Sequence, residues 1–165
     1  MADNTNAPFG LIPAVPIRGA HWYAAGATAA AVYPGDVVVV RADGKVAVAA
    51  AGGTQVIGVA GSYKSATYST LLVWDDPDQQ FLIQDDGAGT TSLATSKIGL
   101  NADIVATAGN ATVLKSRQTF DRNPIATTTA QLRLLGIQAN QATGKYQVVR
   151  VAINEHFLKK LTGTV

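Results

Sequence analysis

The clearest structural signal in the sequence is the stretch YPGDVVVVRADGKVAVA, which runs from Tyr33 to Ala49. It opens with Tyr33-Pro34-Gly35-Asp36, a turn in which proline presets φ and glycine accepts a positive φ. The four valines that follow favour a strand, because β-branched side chains pack well on a pleated sheet. Asp43-Gly44 separates them from the alternating run Lys45–Ala49. Two β-type runs joined through Asp-Gly predict a β-hairpin.

Further strands are predicted along the rest of the chain, each a short β-type run that ends at a Gly, Asp or Pro turn. They are Gln55–Ala60, Tyr68–Trp74, Gln79–Gln84, Val113–Phe120, Gln131–Ile137 and Tyr146–Ile153. Thr91–Ile98 is a candidate for a short helix. The absence of any amphipathic helix of ordinary length argues against a parallel βαβ sheet. We therefore predict a mainly β fold, an antiparallel β-sandwich or barrel (jelly-roll-like) with at most one or two short helices.

Alternation within a strand predicts which side chains share a face, because successive residues point to opposite sides of a sheet. In the strand that ends at Trp74, Leu71 and Val73 lie on one face, and Thr70, Leu72 and Trp74 lie on the other. The last predicted strand places Val149, Val151 and Ile153 on one face and Val148, Arg150 and Ala152 on the opposite one.

The first seventeen residues differ from the rest of the chain. Pro8, Pro13 and Pro16 exclude a helix interior and a central strand there. We therefore divide the chain into an extended N-terminal arm at residues 1–17 and a single β domain at residues 18–165. The arm either lies across its own domain or docks on a neighbouring molecule, and the sequence leaves both interpretations open.

The arm carries large apolar side chains that a free linker avoids. We therefore expect residues 7–17 to be ordered only through contact with a partner, and deletion of residues 1–17 to spare the β fold. Two aromatic residues shortly after the arm suit core or interface packing. The candidate partner-binding residues are Pro8, Phe9, Leu11, Ile12, Pro13, Val15, Trp22 and Tyr23.

Composition narrows the range of functions. The 165 residues include no Cys, which excludes disulfides, thiolate metal sites and a Cys nucleophile. Charged residues make up 15% of the chain, against about 25% in typical domains. We expect this shortage of surface charge to reflect an obligate homo-oligomer, with a trimer favoured and a dimer possible. The net charge is +2, and its scattered cations predict no nucleic-acid partner.

The residues needed for a catalytic or metal site are not grouped in the sequence. His21 and His156 lack the spacing of metal ligands, and the carboxylates of Asp75-Asp76-Pro77-Asp78 suit a turn better than a calcium loop. No phosphate-binding loop and no nucleophile elbow occurs. We therefore expect a protein that is not an enzyme and that uses no metal or other cofactor. No secretion signal and no apolar run long enough to span a membrane is evident, and we expect no membrane partner.

Taken in order, several short motifs resemble those of tailed-bacteriophage capsid decoration (cement) proteins. The resemblance spans about residues 6–157 and depends on the order and spacing of the motifs, since each one alone is only a turn and a strand. The motifs are Asn6–Pro13, Tyr33–Asp36, Asp43-Gly44 with Val46–Val48, Ile57–Val59, Asp75–Asp78 with Phe81–Gln84, Ile98–Asp103 and Val151–His156. Residues 112–129 match no part of the pattern.

The resemblance implies a structural protein on the exterior of the virion capsid, assembled in the host cytoplasm. Its partner would be the major capsid protein, bound where capsid subunits meet, and no catalytic residue is implied. Two other classes stay open. One is a glycan- or receptor-binding β domain of a phage tail or fibre, which predicts a pocket of exposed aromatic residues. The other is a small hydrolase with paired Asp residues in a cleft.

Overall fold

The computed structural model describes residues 3–26, 30–65, 67, 69–89, 92–127, 129–139, 141–142 and 144–159. Within them the chain forms short β-strands and one 3-10 turn, Thr95–Lys97. The strands are β1 Ile12–Pro13, β2 His21–Ala24, β3 Val37–Val40, β4 Val46–Val48, β5 Val56–Ala60, β6 Thr70–Trp74, β7 Gln80–Gln84, β8 Asn101–Ala102, β9 Ile104–Val105, β10 Thr119–Phe120, β11 Leu132–Ile137 and β12 Val148–Ile153. The mainly β class and the small helical content are confirmed.

Most strands belong to two five-stranded sheets in which neighbouring strands are antiparallel. Sheet I has the order β1-β7-β12-β11-β8, and sheet II has the order β2-β6-β5-β3-β4. The short strands β9 and β10 pair with each other. The two large sheets pack face to face, as in the predicted β-sandwich.

The main hydrophobic core lies between the two sheets and contains the faces that alternation predicts. Val149, Val151 and Ile153 are buried there, whereas Arg150 points away and is exposed. The principal core side chains are Val37, Val56 and Val59 from sheet II and Phe81, Ile83, Leu132, Leu134, Val149, Val151 and Ile153 from sheet I.

Sheet II buries its second face by curling on itself. Ala25, directly after β2, forms a parallel bridge with Val46 of β4, and the Gly26 N–H donates to the Val46 carbonyl at 3.0 Å. Since β2 and β4 are the opposite edges of sheet II, this contact bends the sheet towards a closed barrel. A second core fills the curl and includes Val32, Val38, Val46, Ile57, Ala60, Leu71 and Val73.

The predicted hairpin is confirmed between β3 and β4. Arg41 N–H donates to the Lys45 carbonyl at 2.8 Å, and Gly44, with φ of 74°, supplies the left-handed residue that the connection needs. The preceding turn is also as predicted, because Asp36 N–H donates to the Tyr33 carbonyl and Gly35 has φ of 94°.

Two local expectations need correction. Of the strand expected at Val113–Phe120, only Thr119–Phe120 is extended in a sheet, because Asn110 caps a turn through its side-chain oxygen, which accepts the N–H groups of Thr112 and Val113. The helix expected at Thr91–Ile98 is one 3-10 turn, Thr95–Lys97, which lacks a side-chain cap at its start. The predicted first residues of that helix and of the strand at Tyr68 lie outside the described residues.

The expectation that the arm is ordered only on a partner is wrong for its central part. Leu11 is fully buried in the main core, and its N–H donates to the Gly35 carbonyl at 2.9 Å. Ile12-Pro13 pairs with Leu82 and Phe81 at the edge of sheet I. The prolines exclude a central strand but not an edge strand, which can lack one N–H donor. Deletion of residues 1–17 therefore removes part of the core and will destabilise the fold.

We expect Leu11→Ala to lower the free energy of unfolding by about 2–5 kcal/mol, because it truncates a fully buried side chain of the main core. Ile12→Ala is the matched control: Ile12 is 43% exposed, so its truncation should cost under about 1 kcal/mol. Urea denaturation followed by tryptophan fluorescence measures both. Equal midpoints for the two variants would show that the arm does not belong to the core.

Candidate interaction surface

The predicted partner-binding residues lie in different environments. Leu11 is buried in the core, and Pro8, Phe9, Pro13 and Tyr23 are half-buried. The three that reach solvent are Ile12 at 43% exposure, Val15 at 37% and Trp22 at 66%. Leu11 is therefore a core residue, and the exposed three are the side chains that a partner can contact.

An apolar cavity of about 350 Å³ opens beside the arm. Gly10 and Gly35 bring the arm and the turn after Tyr33 into close contact, since a Cβ on Gly10 would lie 2.5 Å from the Gly35 carbonyl oxygen. Among the described residues that line it, Lys115 is the only charged one. The lining residues are Phe9, Leu11, Ile12, Pro34, Gly35, Trp74 and Lys115. The cavity thus offers an apolar recess, next to the exposed Ile12, that a partner side chain can fill.

A row of apolar side chains leads from the main core to solvent across sheet II. Val59 lies opposite Trp74, and Leu72 lies opposite Trp22, so these residues share one face. Val59 is buried, Trp74 and Leu72 are half-buried, and Trp22 is exposed. The row ends in a tryptophan, a residue type that often dominates binding at protein interfaces.

Tyr23 points to the other face of sheet II and takes part in a polar cluster there. Its hydroxyl donates to Asp75 at 2.5 Å, and His21 Nδ1 lies 2.8 Å from the same carboxylate. Burial, followed by the Asp75 carboxylate, raises the pKa of Tyr23 to about 12. Asp75 directly follows β6, so this hydrogen bond from the Tyr23 hydroxyl holds β2 against the end of β6.

His156 is fully buried beneath this cluster. It forms a parallel bridge with Val56, and its Nδ1 accepts the Leu158 N–H at 3.2 Å. Burial, and then the positive charge of Lys159, lowers the pKa of His156, although Asp75 and Asp76 oppose the shift. The imidazole is therefore neutral at neutral pH and anchors the segment after β12 to sheet II.

Two buried carboxylates, those of Asp36 and Asp85, make contacts within the fold. Asp85 is buried and pairs with Arg122 at 3.3 Å, and its pKa is raised by burial. Asp36 is also buried and accepts the Tyr33 N–H at 2.8 Å. Among the residues that the structure describes, no three His, Cys, Asp or Glu side chains are grouped so as to hold a metal ion.

Sequence reasoning missed Leu72, Trp74 and Lys115 as parts of this surface. Alternation in β6 correctly placed Leu72 and Trp74 on one face, away from Leu71 and Val73. The assignment of a face in β6 does not predict the cavity, because the cavity is also lined by residues of the arm and of the turn before β3. Only the packing of the arm brings these segments together.

No protein-family model matches the chain, and neither a curated protein nor a solved structure shows significant similarity to it. In the described part of the chain, no helix is long and apolar enough to cross a membrane.

The lowered pKa of His156 predicts a loss of stability in mild acid. The unfolded chain takes up a proton near pH 6.5, whereas the folded protein resists it. The contribution of the neutral His156 to the free energy of unfolding is therefore complete above about pH 6.5 and is lost as the pH falls. We expect the free energy of unfolding to fall more between about pH 8 and about pH 5.5 in the wild type than in His156→Gln, as measured by urea denaturation.

Asp36 and Asp85, whose pKa values are raised, are present in both proteins of this comparison, so their effects on the pH dependence cancel. An identical pH dependence in the wild type and His156→Gln would contradict a buried, neutral His156.

Proposed function

We propose that the chain is a structural protein of a tailed-phage virion. In this proposal it binds the outer surface of an icosahedral head, at junctions between major capsid subunits, and stabilises the shell. The order of the sequence motifs is what suggests this family. The fold is compatible with the role, because such a protein needs contact surfaces rather than a reaction centre.

The observation that carries the proposal is the exposed apolar surface of the arm. Ile12, Val15 and Ile17 are 43%, 37% and 50% exposed, and Ile12 borders the 350 Å³ cavity. Their neighbours Leu11 and Pro13 are fixed by the core and by sheet I, so the exposed side chains are held in place before a partner binds. Pre-organisation of this kind lowers the entropy lost on binding.

Self-association is part of the same proposal, with a trimer favoured over a dimer. Trp22, Val113 and Leu114 expose 66%, 57% and 44% of their surface, which is apolar area beyond that of the arm. A cyclic trimer needs two different contact surfaces on each subunit. The row that ends at Trp22 provides one such surface, and the exposed Val113 and Leu114 provide the other.

A second candidate function is supported by a separate pocket of about 240 Å³ lined by Trp22, Ser62, Tyr63 and Thr70. An exposed indole with nearby hydroxyl groups suits a sugar ring, which stacks on the aromatic face and hydrogen-bonds to the hydroxyls. The alternative is therefore a glycan- or receptor-binding domain of a phage tail or fibre. It places the ligand at Trp22, whereas the capsid proposal places the partner along the arm.

Binding to purified heads that lack this protein tests the capsid proposal. We expect the wild type to bind, and Ile12→Ser with Val15→Ser to weaken binding at least about tenfold, because burial of each side chain is worth on the order of 1.5–3 kcal/mol. Ile98→Ser is the control, since Ile98 is similarly exposed but lies on a different segment. Co-sedimentation of labelled protein with heads gives the affinity.

Failure of the wild type to bind heads would overturn the proposal. Oligosaccharide binding that Trp22→Ala abolishes, combined with no head binding, would favour the glycan alternative instead.

For self-association, we expect light scattering at micromolar concentration to give a mass of three chains. Trp22→Ser should shift the mass towards the monomer, because it removes the largest exposed apolar side chain. A wild-type monomer both in solution and on heads would contradict this part of the proposal.

A further inference from the structure

The outer face of sheet I, which points away from the main core, has an unusual composition. Register fixes its members: Arg150 lies opposite Leu82, Leu82 lies opposite Ile12, and Arg133 lies opposite Ala152. None of the five strands of sheet I contains Asp or Glu. The face therefore combines apolar side chains, two glutamines of β7, Gln80 and Gln84, and two arginines, and carries no negative charge on its strands.

Both arginines are exposed, and neither forms a salt bridge within the described part of the chain. Arg133 Nε donates to the neutral Asn101 side chain at 3.3 Å. Arg133 lies opposite Ala152 and Arg150 lies opposite Gly136, so the two arginines lie on neighbouring strands, on either side of the β-bulge between Leu134 and Gly136. Their positive charges therefore add, and none of the five strands of sheet I supplies a carboxylate to balance them.

Half-buried apolar side chains surround the arginines. Leu82, Val148 and Ala152 lie on this face, and the exposed Ile12 continues it to the edge of the sheet. Protein interfaces are enriched in arginine and depleted in Asp, Glu and Lys relative to the rest of the surface. This face has that composition, and it is continuous with the arm surface through Ile12.

We infer that the outer face of sheet I is a docking surface for an acidic protein surface, with Arg133 and Arg150 binding carboxylates of the partner. The inference rests on the proposed function, which makes the capsid shell the partner. Beyond that proposal, the inference specifies which face of the protein contacts the shell and that the shell is negatively charged at the contact. Arginine suits this role because its planar guanidinium can bind a carboxylate through two hydrogen bonds.

A protein partner fits this face better than a nucleic acid. Two arginines offer few phosphate contacts, whereas nucleic-acid binding usually needs a longer row of cations. The outward positions of β7, β11 and β12 include no aromatic side chain on which a base could stack. Leu82 and Ile12 instead provide apolar area for a protein surface.

The test uses two double variants. The first carries both Arg133→Glu and Arg150→Glu, and the control carries both Arg41→Glu and Lys45→Glu. Both changes alter the net charge equally, and the control residues are exposed on the hairpin turn of sheet II. Co-sedimentation with purified undecorated heads gives each affinity, at low and at high salt. A milder variant, Arg133→Gln with Arg150→Gln, covers the case in which the charge reversal lowers the melting temperature.

We expect the charge reversal to weaken head binding at least about tenfold and the control to leave it within about twofold. Binding of the wild type should weaken with salt, and the Gln variant should lose most of that dependence. If the wild type binds heads and the folded arginine variants bind equally well, the inference fails while the proposed function stands. If the wild type does not bind heads, both fail. Loss of binding to a DNA fragment, with head binding unchanged, would assign the face to nucleic acid and overturn the inference.

Discussion

The structure depends on the need to bury both faces of β3. Its four consecutive valines cannot place all their side chains on one side of a sheet, so Val37 and Val39 contact the main core while Val38 and Val40 contact the second one. Sheet I covers the first face. The second face is covered by sheet II itself, which curls until Ala25 reaches Val46. The two cores follow from this one strand, and the low charge content of the chain is consistent with so much buried apolar surface.

The arm has a place in the fold because the main core is open at one edge of sheet I. Leu11 fills that opening, and β1 adds a short strand beside β7. The same placement turns Ile12 outward, next to the cavity that Trp74 and Phe9 help to form. Neighbouring residues of the arm therefore have different roles: one is buried and stabilises the fold, and others are exposed. Leu11 secures the arm, and Ile12 and Val15 become surface that binding can bury.

The sequence predicted those parts of the fold that local chemistry determines. The hairpin at Asp43-Gly44 and the strands β5, β6, β7, β11 and β12 follow from turn residues and β-type runs, and alternation predicts how β6 and β12 divide their side chains between two faces. The edge position of β1 was not predictable, because it depends on an unfilled site in a distant sheet. β2 was missed because His21–Ala24 has no alternating pattern, and Asp75 holds it in place from a remote turn. Of the predicted partner-binding residues, Ile12, Val15 and Trp22 are exposed, and Leu72 and Trp74 come to lie near them only through packing.

In the proposed arrangement, sheet I and the arm face the capsid shell, and the row that ends at Trp22 faces a second copy of the chain. Electron cryomicroscopy of purified undecorated heads mixed with the protein tests this arrangement most directly. We expect density at the junctions between capsid subunits, with the outer face of sheet I and Ile12 against the shell. Bare shells, or bound protein that turns sheet I away from the shell, would contradict it.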